Sequence, residues 1–172
     1  LWLDLFEATS ERTPVDTAVR HIHLLRTEST NTYLRELLSK SPDLEAFTVI
    51  TAHDQTAGRG QKGNHWESNR GENITLSMLI RPDMRGASTF DLSIVAALAA
   101  RTIISKALEE RAEVEVKWPN DILVGERKIA GILIENEFAG SDLECCIIGV
   151  GLNIGQEHFR PYQPTATSVV LE

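Results

Sequence analysis

Four short blocks bring together residue types that handle anions and tight backbone approaches. The first is Gly58-Arg59-Gly60-Gln61-Lys62-Gly63-Asn64-His65-Trp66. Its glycines allow close approach and positive φ, and Arg59 and Lys62 can hold a phosphate or a carboxylate. The block matches G-x-G-x-x-G, but a dinucleotide fingerprint needs a helix straight after the glycines and an acid about 20 residues on. Here the segment runs through Trp66 to Asn73 and into an apolar alternation. It is not a P-loop either, because Gly63 follows Lys62 where Ser or Thr is required. Taken alone, an anion-binding loop and a solvated loop both fit.

The second block, Lys117-Trp118-Pro119-Asn120-Asp121, sets a lysine at a strand end beside a rigid turn and two polar side chains. It is either a corner for a charged ligand or an ordinary Pro-Asn-Asp turn with Trp118 in the core. In the third, Lys128-Ile129-Ala130-Gly131, the lysine opens an apolar strand and Gly131 marks a bulge or a ligand against the backbone; a solvated edge lysine is the alternative. The fourth, Gly149-Val150-Gly151-Leu152-Asn153, is of the same kind, or else a twisted or bulged strand end. His53 and His65 flank the first block and receive no role.

The elements that must position these blocks follow from periodicity. Ser29 or Thr30 caps a helix carrying Leu34, Leu37 and Leu38 until Ser41-Pro42 stops it. Phe47–Ala52 is a buried strand, His53–Gly71 a long loop, and Glu72–Arg81 a strand with Ile74, Leu76, Met78 and Ile80 on one face. A helix over Phe90–Glu110 carries Leu92, Val95, Ala99, Ile103 and Ala107 at three-to-four spacing. Val114–Trp118 is a strand, Ile122–Val124 and Lys128–Phe138 pair across Gly125-Glu126-Arg127, and Leu143–Ile154 continues the meander. The class is α/β with a consecutive antiparallel second half, and residues 1–20 form a lead-in of unassigned order.

The chain of 172 residues is 42% hydrophobic, enough for one core. A net charge of −8 disfavours a polyphosphate surface as partner, so no DNA is expected. The two cysteines, Cys145 and Cys146, are adjacent in an apolar run and would point to opposite faces of a strand. They predict core thiols in a reducing, cytoplasmic compartment. Neither a membrane span nor a leader is read in the chain.

In order and spacing, Glu28-Ser29-Thr30-Asn31, Gln55-Thr-Ala-Gly-Arg-Gly60, Trp66, Lys117-Trp-Pro-Asn-Asp121, Lys128-Ile-Ala-Gly131 and Gly149-Val-Gly-Leu-Asn153 resemble the motif series of biotin–protein ligases, over about residues 22–170. The resemblance implies a class II aminoacyl-tRNA-synthetase-like α/β (α+β) catalytic domain over 21–172, with a mixed, mostly antiparallel sheet flanked by helices. It implies activation of biotin by ATP to biotinyl-5′-AMP, then transfer to a lysine of a biotin carboxyl carrier protein of a biotin-dependent carboxylase. Ser29, Thr30, Asn31 and Gln55 would bond the ureido ring, with Gly58, Gly60, Gln61 and Gly131 shaping the biotin pocket. Arg59 and Lys128, with Lys117, would be catalytic, the first two facing both the biotin carboxylate and the α-phosphate. Lys62, Asn64, Trp66, Asn120, Asp121 and Asn153 would complete the ATP site, Trp66 near the adenine and Asn153 at its edge. Mg²⁺ is implied beside ATP, with Asp121 near it or acting as a hinge; no metal ligand is assigned.

Gln61 and Asn64 stand where many relatives carry arginines, which implies weaker retention of the adenylate, offset in part by Lys62. No helix-turn-helix head is read, so repressor activity is not implied, and relatives continue beyond the position of Glu172, so the catalytic domain is expected to be C-terminally incomplete. The family leaves room for a homodimer. The rivals are a lipoate–protein ligase of the same fold and a non-catalytic biotin- or nucleotide-binding module. A dinucleotide oxidoreductase is argued against by the loop-then-strand order.

Overall fold

The computed structural model describes residues 19–83, 88–161 and 164–172. The lead-in expected over 1–20 lies outside the described residues but for its last two. Strands β1 (His21–Leu24), β2 (Val49–Ala52), β5 (Asn73–Ile80), β6 (Val114–Lys117), β7 (Asp121–Val124), β8 (Arg127–Ala139) and β9 (Asp142–Asn153) form one sheet in the order β1-β2-β5-β9-β8-β7-β6. Only β1 and β2 pair in parallel; every other neighbouring pair is antiparallel. The mixed, mostly antiparallel sheet matches expectation. Strands β3 (Gly58–Arg59) and β4 (His65–Trp66) make a separate two-stranded hairpin inside the segment read from sequence as loop. They are too short and too polar to carry a periodic signal.

Helix α1 (Thr30–Lys40), with Ser29 at its N-cap, covers one face of the sheet, and helix α2 (Thr89–Ala107) the other. Leu34 of α1 packs with Ile50, Leu79, Cys145 and Ile147. Ala97, Ala100 and Ile104 of α2 pack with Ile122, Ile132, Cys146, Ile148 and Leu152. The adjacent cysteines therefore do belong to opposite faces, and both are buried free thiols.

Two facing assignments differ from the sequence reading. On β5 the buried residues are Thr75, Ser77 and Leu79, while the Ile74–Ile80 set is only partly covered. Hydrophobicity misleads there because both faces of the sheet are covered, and the α1 side buries polar groups near the start of that helix. On α2, Val95 and Ile103 are exposed, and the buried stripe is Ala97, Ala100 and Ile104. This helix is apolar nearly all round, so its period cannot choose a face, and its small alanines are what let it lie close to the sheet. It ends at Ala107 rather than Glu110 because Glu109 and Glu110 leave helical geometry with φ of 51° and 59°.

Candidate active site

The floor of the site is made by what three glycines lack. Residues 131, 149 and 151 lie on the α1 side of β8 and β9, with Gly131 opposite Gly151 and Leu133 opposite Gly149. Helix α1 covers only part of this face, and the glycines leave a trough beyond its first turn. Pairing through β5, β9 and β8 is unbroken at Gly149 and Gly151, so neither is a bulge. The bulge near Gly131 falls instead at Ile129, where Ile122 pairs with Ala130 and Leu123 with Lys128. The glycines answer to neighbours. A Cβ on Gly149 would collide with the Asn31 amide, and one on Gly151 would stand 2.6 Å from Trp66 Nε1.

The β3–β4 hairpin roofs the trough. Its tip is a tight 3-10 turn over Gln61–Gly63 in which Lys62 and Gly63 take φ of 55° and 81°. Floor and roof enclose a cleft of about 740 Å³, the size of a small-ligand pocket.

One end of the cleft is built of neutral polar groups at the start of α1. Ser29, Thr30 and Asn31 are nearly fully buried. Gln55 Oε1 accepts from Thr30 N at 2.9 Å and from Thr30 Oγ1 at 3.2 Å. The Ser77 hydroxyl donates to Asn31 Oδ1 at 2.5 Å and lies 2.7 Å from Thr30 Oγ1. Asn31 Nδ2 donates to Glu135 Oε2 at 2.8 Å, and the same carboxylate pairs with Arg35 of α1 and with Arg59 Nη2 of the hairpin at 2.9 Å. Burial opposes charge on Glu135, but the Asn31 hydrogen bond and the two guanidinium groups outweigh it and hold the carboxyl below its ordinary value.

The other end holds cations and unspent hydrogen-bonding groups. Lys128 Nζ is 2.6 Å from Asp121 Oδ1 and 5.7 Å from the Trp66 ring centroid. The Lys128 backbone is fixed by the 164–168 segment: its N–H donates to Thr165 O and its carbonyl accepts from Thr167 N. Asn153 Nδ2 donates to Thr167 O at 2.9 Å, while Asn153 Oδ1 and Trp66 Nε1 are buried without a partner. A buried acceptor and donor without partners are costly, and each would gain from a hydrogen bond if a ligand entering the cleft shifted the groups that cover it.

The cleft is lined by Ser29, Thr30, Asn31, Gln55 and Arg59, by Gly60 through Asn64, and by Trp66. Asn120, Asp121, Lys128, Gly131 and Asn153 line it as well. Two of the anticipated residues do not. Gly58 is buried where the hairpin closes on Trp66, and Lys117 is exposed at the end of β6, outside the lining. Trp118 is not in the core; it is 56% exposed and tilts against Phe90 with ring centroids 4.8 Å apart. Asn120 braces β8, donating from Nδ2 to Ile132 O at 3.1 Å. Arg59 and Lys128, expected at one carboxylate, pair with acids at opposite ends of the cleft. Asp121 sits beside Gly131, and the four residue steps from Gly131 to Glu135 span roughly 13 Å of strand.

Sequence reasoning missed Ser77, Arg35 and Glu135. The signal for Ser77 was present, as a hydroxyl within the apolar alternation of β5; Glu135 likewise interrupts an apolar strand. Arg35 looks like any solvated helix residue until α1 is docked.

Among the described residues no three His, Cys, Asp or Glu are grouped to hold a metal, and no helix is long and apolar enough to cross a membrane.

A mixed sheet with a glycine-floored cleft, neutral at one end and cationic at the other, defines a small-molecule-binding α/β domain suited to an elongated, partly anionic ligand. The chain belongs to the biotin/lipoate A/B protein ligase family, whose model matches residues 24–153. It is 35% identical over 148 residues to the biotin–[acetyl-CoA-carboxylase] ligase of Paracoccus denitrificans, covering 86% of this chain and 60% of that protein. Identity is 36% over 127 residues with the bifunctional ligase/repressor BirA of Escherichia coli, covering 74% and 38%. In three dimensions it superposes on the Leishmania major biotin protein ligase in complex with biotinyl-5-AMP with a TM-score of 0.70, at 25% identity, covering 92% and 64%. The Aquifex aeolicus ligase in complex with biotin and ATP gives 0.68 at 29% identity, covering 87% and 59%. The chain thus spans about 60% or less of the length of these curated relatives.

Proposed function

We propose that this domain binds biotin and ATP in the one cleft, joins them as biotinyl-5′-AMP, and delivers biotin to a lysine of a carboxyl carrier protein in the cytoplasm. The observation that carries this is the sequence of chemistries along the trough. Neutral amide and hydroxyl groups (Thr30, Asn31, Gln55) come first, then Lys128, then the unpartnered Asn153 Oδ1. A ureido ring suits the first, a carboxylate meeting an α-phosphate the second, and an adenine amino group the third. The family membership, and the biotinyl-5-AMP and the biotin and ATP bound by the Leishmania and Aquifex proteins, support the same ligands here.

In the first step a biotin carboxylate oxygen attacks the α-phosphorus, the α–β bridging P–O bond breaks, and pyrophosphate leaves. Two anions must come within about 3 Å, and Lys128 lowers their repulsion once released from Asp121. Lys62, which makes no ion pair among the described residues, hangs from the roof and would meet the outer phosphates. Mg²⁺ would arrive on ATP, neutralising its phosphates; it needs only one or two protein carboxylates, and Asp121 offers one. In the second step the acceptor amine attacks the mixed anhydride, an amide forms, and AMP and a proton leave. No nucleophile from the protein is required.

The lipoate reading is disfavoured by the neutral end, because a dithiolane offers no acceptor to Gln55 Nε2, which makes no hydrogen bond among the described residues, whereas a ureido oxygen does. Calorimetric titration with biotin and with lipoate, followed by a pyrophosphate-release assay, tests the assignment. Biotin binding and biotin-dependent release are expected. Tight lipoate binding without biotin binding would overturn the substrate, and biotin binding without pyrophosphate release would reduce the domain to a binding module.

A further inference from the structure

Among the described residues Glu135 is the one carboxylate that a side chain of the β3–β4 hairpin pairs with, and nothing in the reaction calls for an acid at the neutral end of the cleft. Its side chain is 18% exposed and takes donors from three directions: Asn31 and Arg35 from α1, and Arg59 from the hairpin. Arg59 is the only residue of β3 that reaches it, through Nη2 at 2.9 Å and Nη1 at 3.4 Å. Among the described residues the hairpin strands otherwise meet the floor through the Trp66 ring lying over Gly131 and Gly151, while the flanking chain is held by Ala57 N–H to Glu28 O and by Glu67, which accepts from Arg160 N.

We infer that Glu135 is a positioning residue that acts through Arg59: it latches the glycine-rich hairpin down at the neutral end, so that the bound ring is sealed from water. The charges favour this over a simple core ion pair. Arg35 is shared between Glu135 and Glu137, so the guanidinium of Arg59 completes a charge-balanced cluster that also bridges roof to floor. Removing the latch should leave the fold intact, because Arg59 stands on a short exposed hairpin outside both core clusters. The effect on a bound ligand rests on the biotin reading above; the effect on the hairpin does not.

Two measurements separate them. Trypsin cleavage after Lys62, followed by mass spectrometry on the ligand-free protein, reports hairpin opening. The biotin dissociation rate reports sealing. Arg59→Ala and Glu135→Gln should each raise both rates roughly three- to tenfold, as expected for a partly exposed but networked charge pair. The double variant should be no worse than the more severe single one, since both remove the same contact. Additive effects, or cleavage at Lys62 unchanged in Arg59→Ala, would overturn the latch. Because Arg59→Ala does not disturb Asn31 or Arg35, that variant decides the matter even if Glu135→Gln folds poorly. If biotin fails to bind the unmodified protein, the substrate assignment falls, while the proteolysis result still judges Glu135.

Discussion

A single methyl group added at Gly149 should damage this protein more than the loss of many side chains. An alanine Cβ there would lie 2.9 Å from Asn31 Cγ and closer still to its Oδ1. Carbon atoms pack at about 3.5–4.0 Å, so Asn31 Cγ must retreat by roughly 0.6–1.1 Å and the closer Oδ1 by at least as much. That displacement breaks the 2.5 Å bond from Ser77 and the 2.8 Å bond to Glu135, which have little slack. One neutral bond at about 0.5–1.5 kcal/mol and one to a charged group at about 1.5–3 kcal/mol put the cost near 2–4 kcal/mol. With a urea m-value of about 2 kcal/mol/M, the unfolding midpoint of Gly149→Ala should fall by roughly 1–2 M. Biotin affinity should fall with it, because Asn31 lies at the neutral end. The reasoning has a sharp check in the Asn31→Ala background, where the obstructing amide is gone. There Gly149→Ala should cost no more than about 0.5 kcal/mol. If the two substitutions add in full, the steric account is wrong.

Further expectations concern single groups. Lys128→Ala should cut biotin-dependent pyrophosphate release by about 10²–10³-fold, as for loss of one preorganised charge-stabilising donor, with unfolding little changed; release within about twofold of the parent would remove Lys128 from the reaction. Glu135 faces Arg35 from α1 and Arg59 from the hairpin, with Glu137 beyond Arg35, and its folded carboxyl is held below the usual 4.5. Its contribution to stability is therefore complete above that value and is lost as pH falls through the lower folded one. Urea midpoints measured from about pH 6 down to about pH 3 should decline more steeply for the parent than for Glu135→Gln, and equal slopes would refute the assignment. Burial, reinforced by the neighbouring Cys145, pushes the Cys146 thiol up to about 11. Neither cysteine should react with an aromatic disulfide reagent in the native protein, while both should after unfolding; fast native labelling would contradict their placement.

The fold class and most elements were legible because they rest on local rules. A hydroxyl before an apolar helix stripe, alternation over Asn73–Ile80, and a glycine turn between β7 and β8 are written in adjacent residues. The candidate residues of the cleft were conspicuous by type, as glycines within strands and lysines at their starts, but type left each block open, and only the ordered resemblance to biotin–protein ligases joined them into one candidate site. What neighbours along the chain cannot convey is which groups meet across it. Arg59 and Lys128 share a charge but not a location, because the register of β8 sets their partners some four residues apart. Lys117 sits in a motif yet outside the cleft, and Trp118 leaves the core for Phe90. Ser77, Arg35 and Glu135 became part of the site only when α1, β5 and β8 were packed together. Local sequence determined which residue types were available for a ligand. Only tertiary packing decided which were spent on one another and which, like Asn153 Oδ1, were buried without a partner.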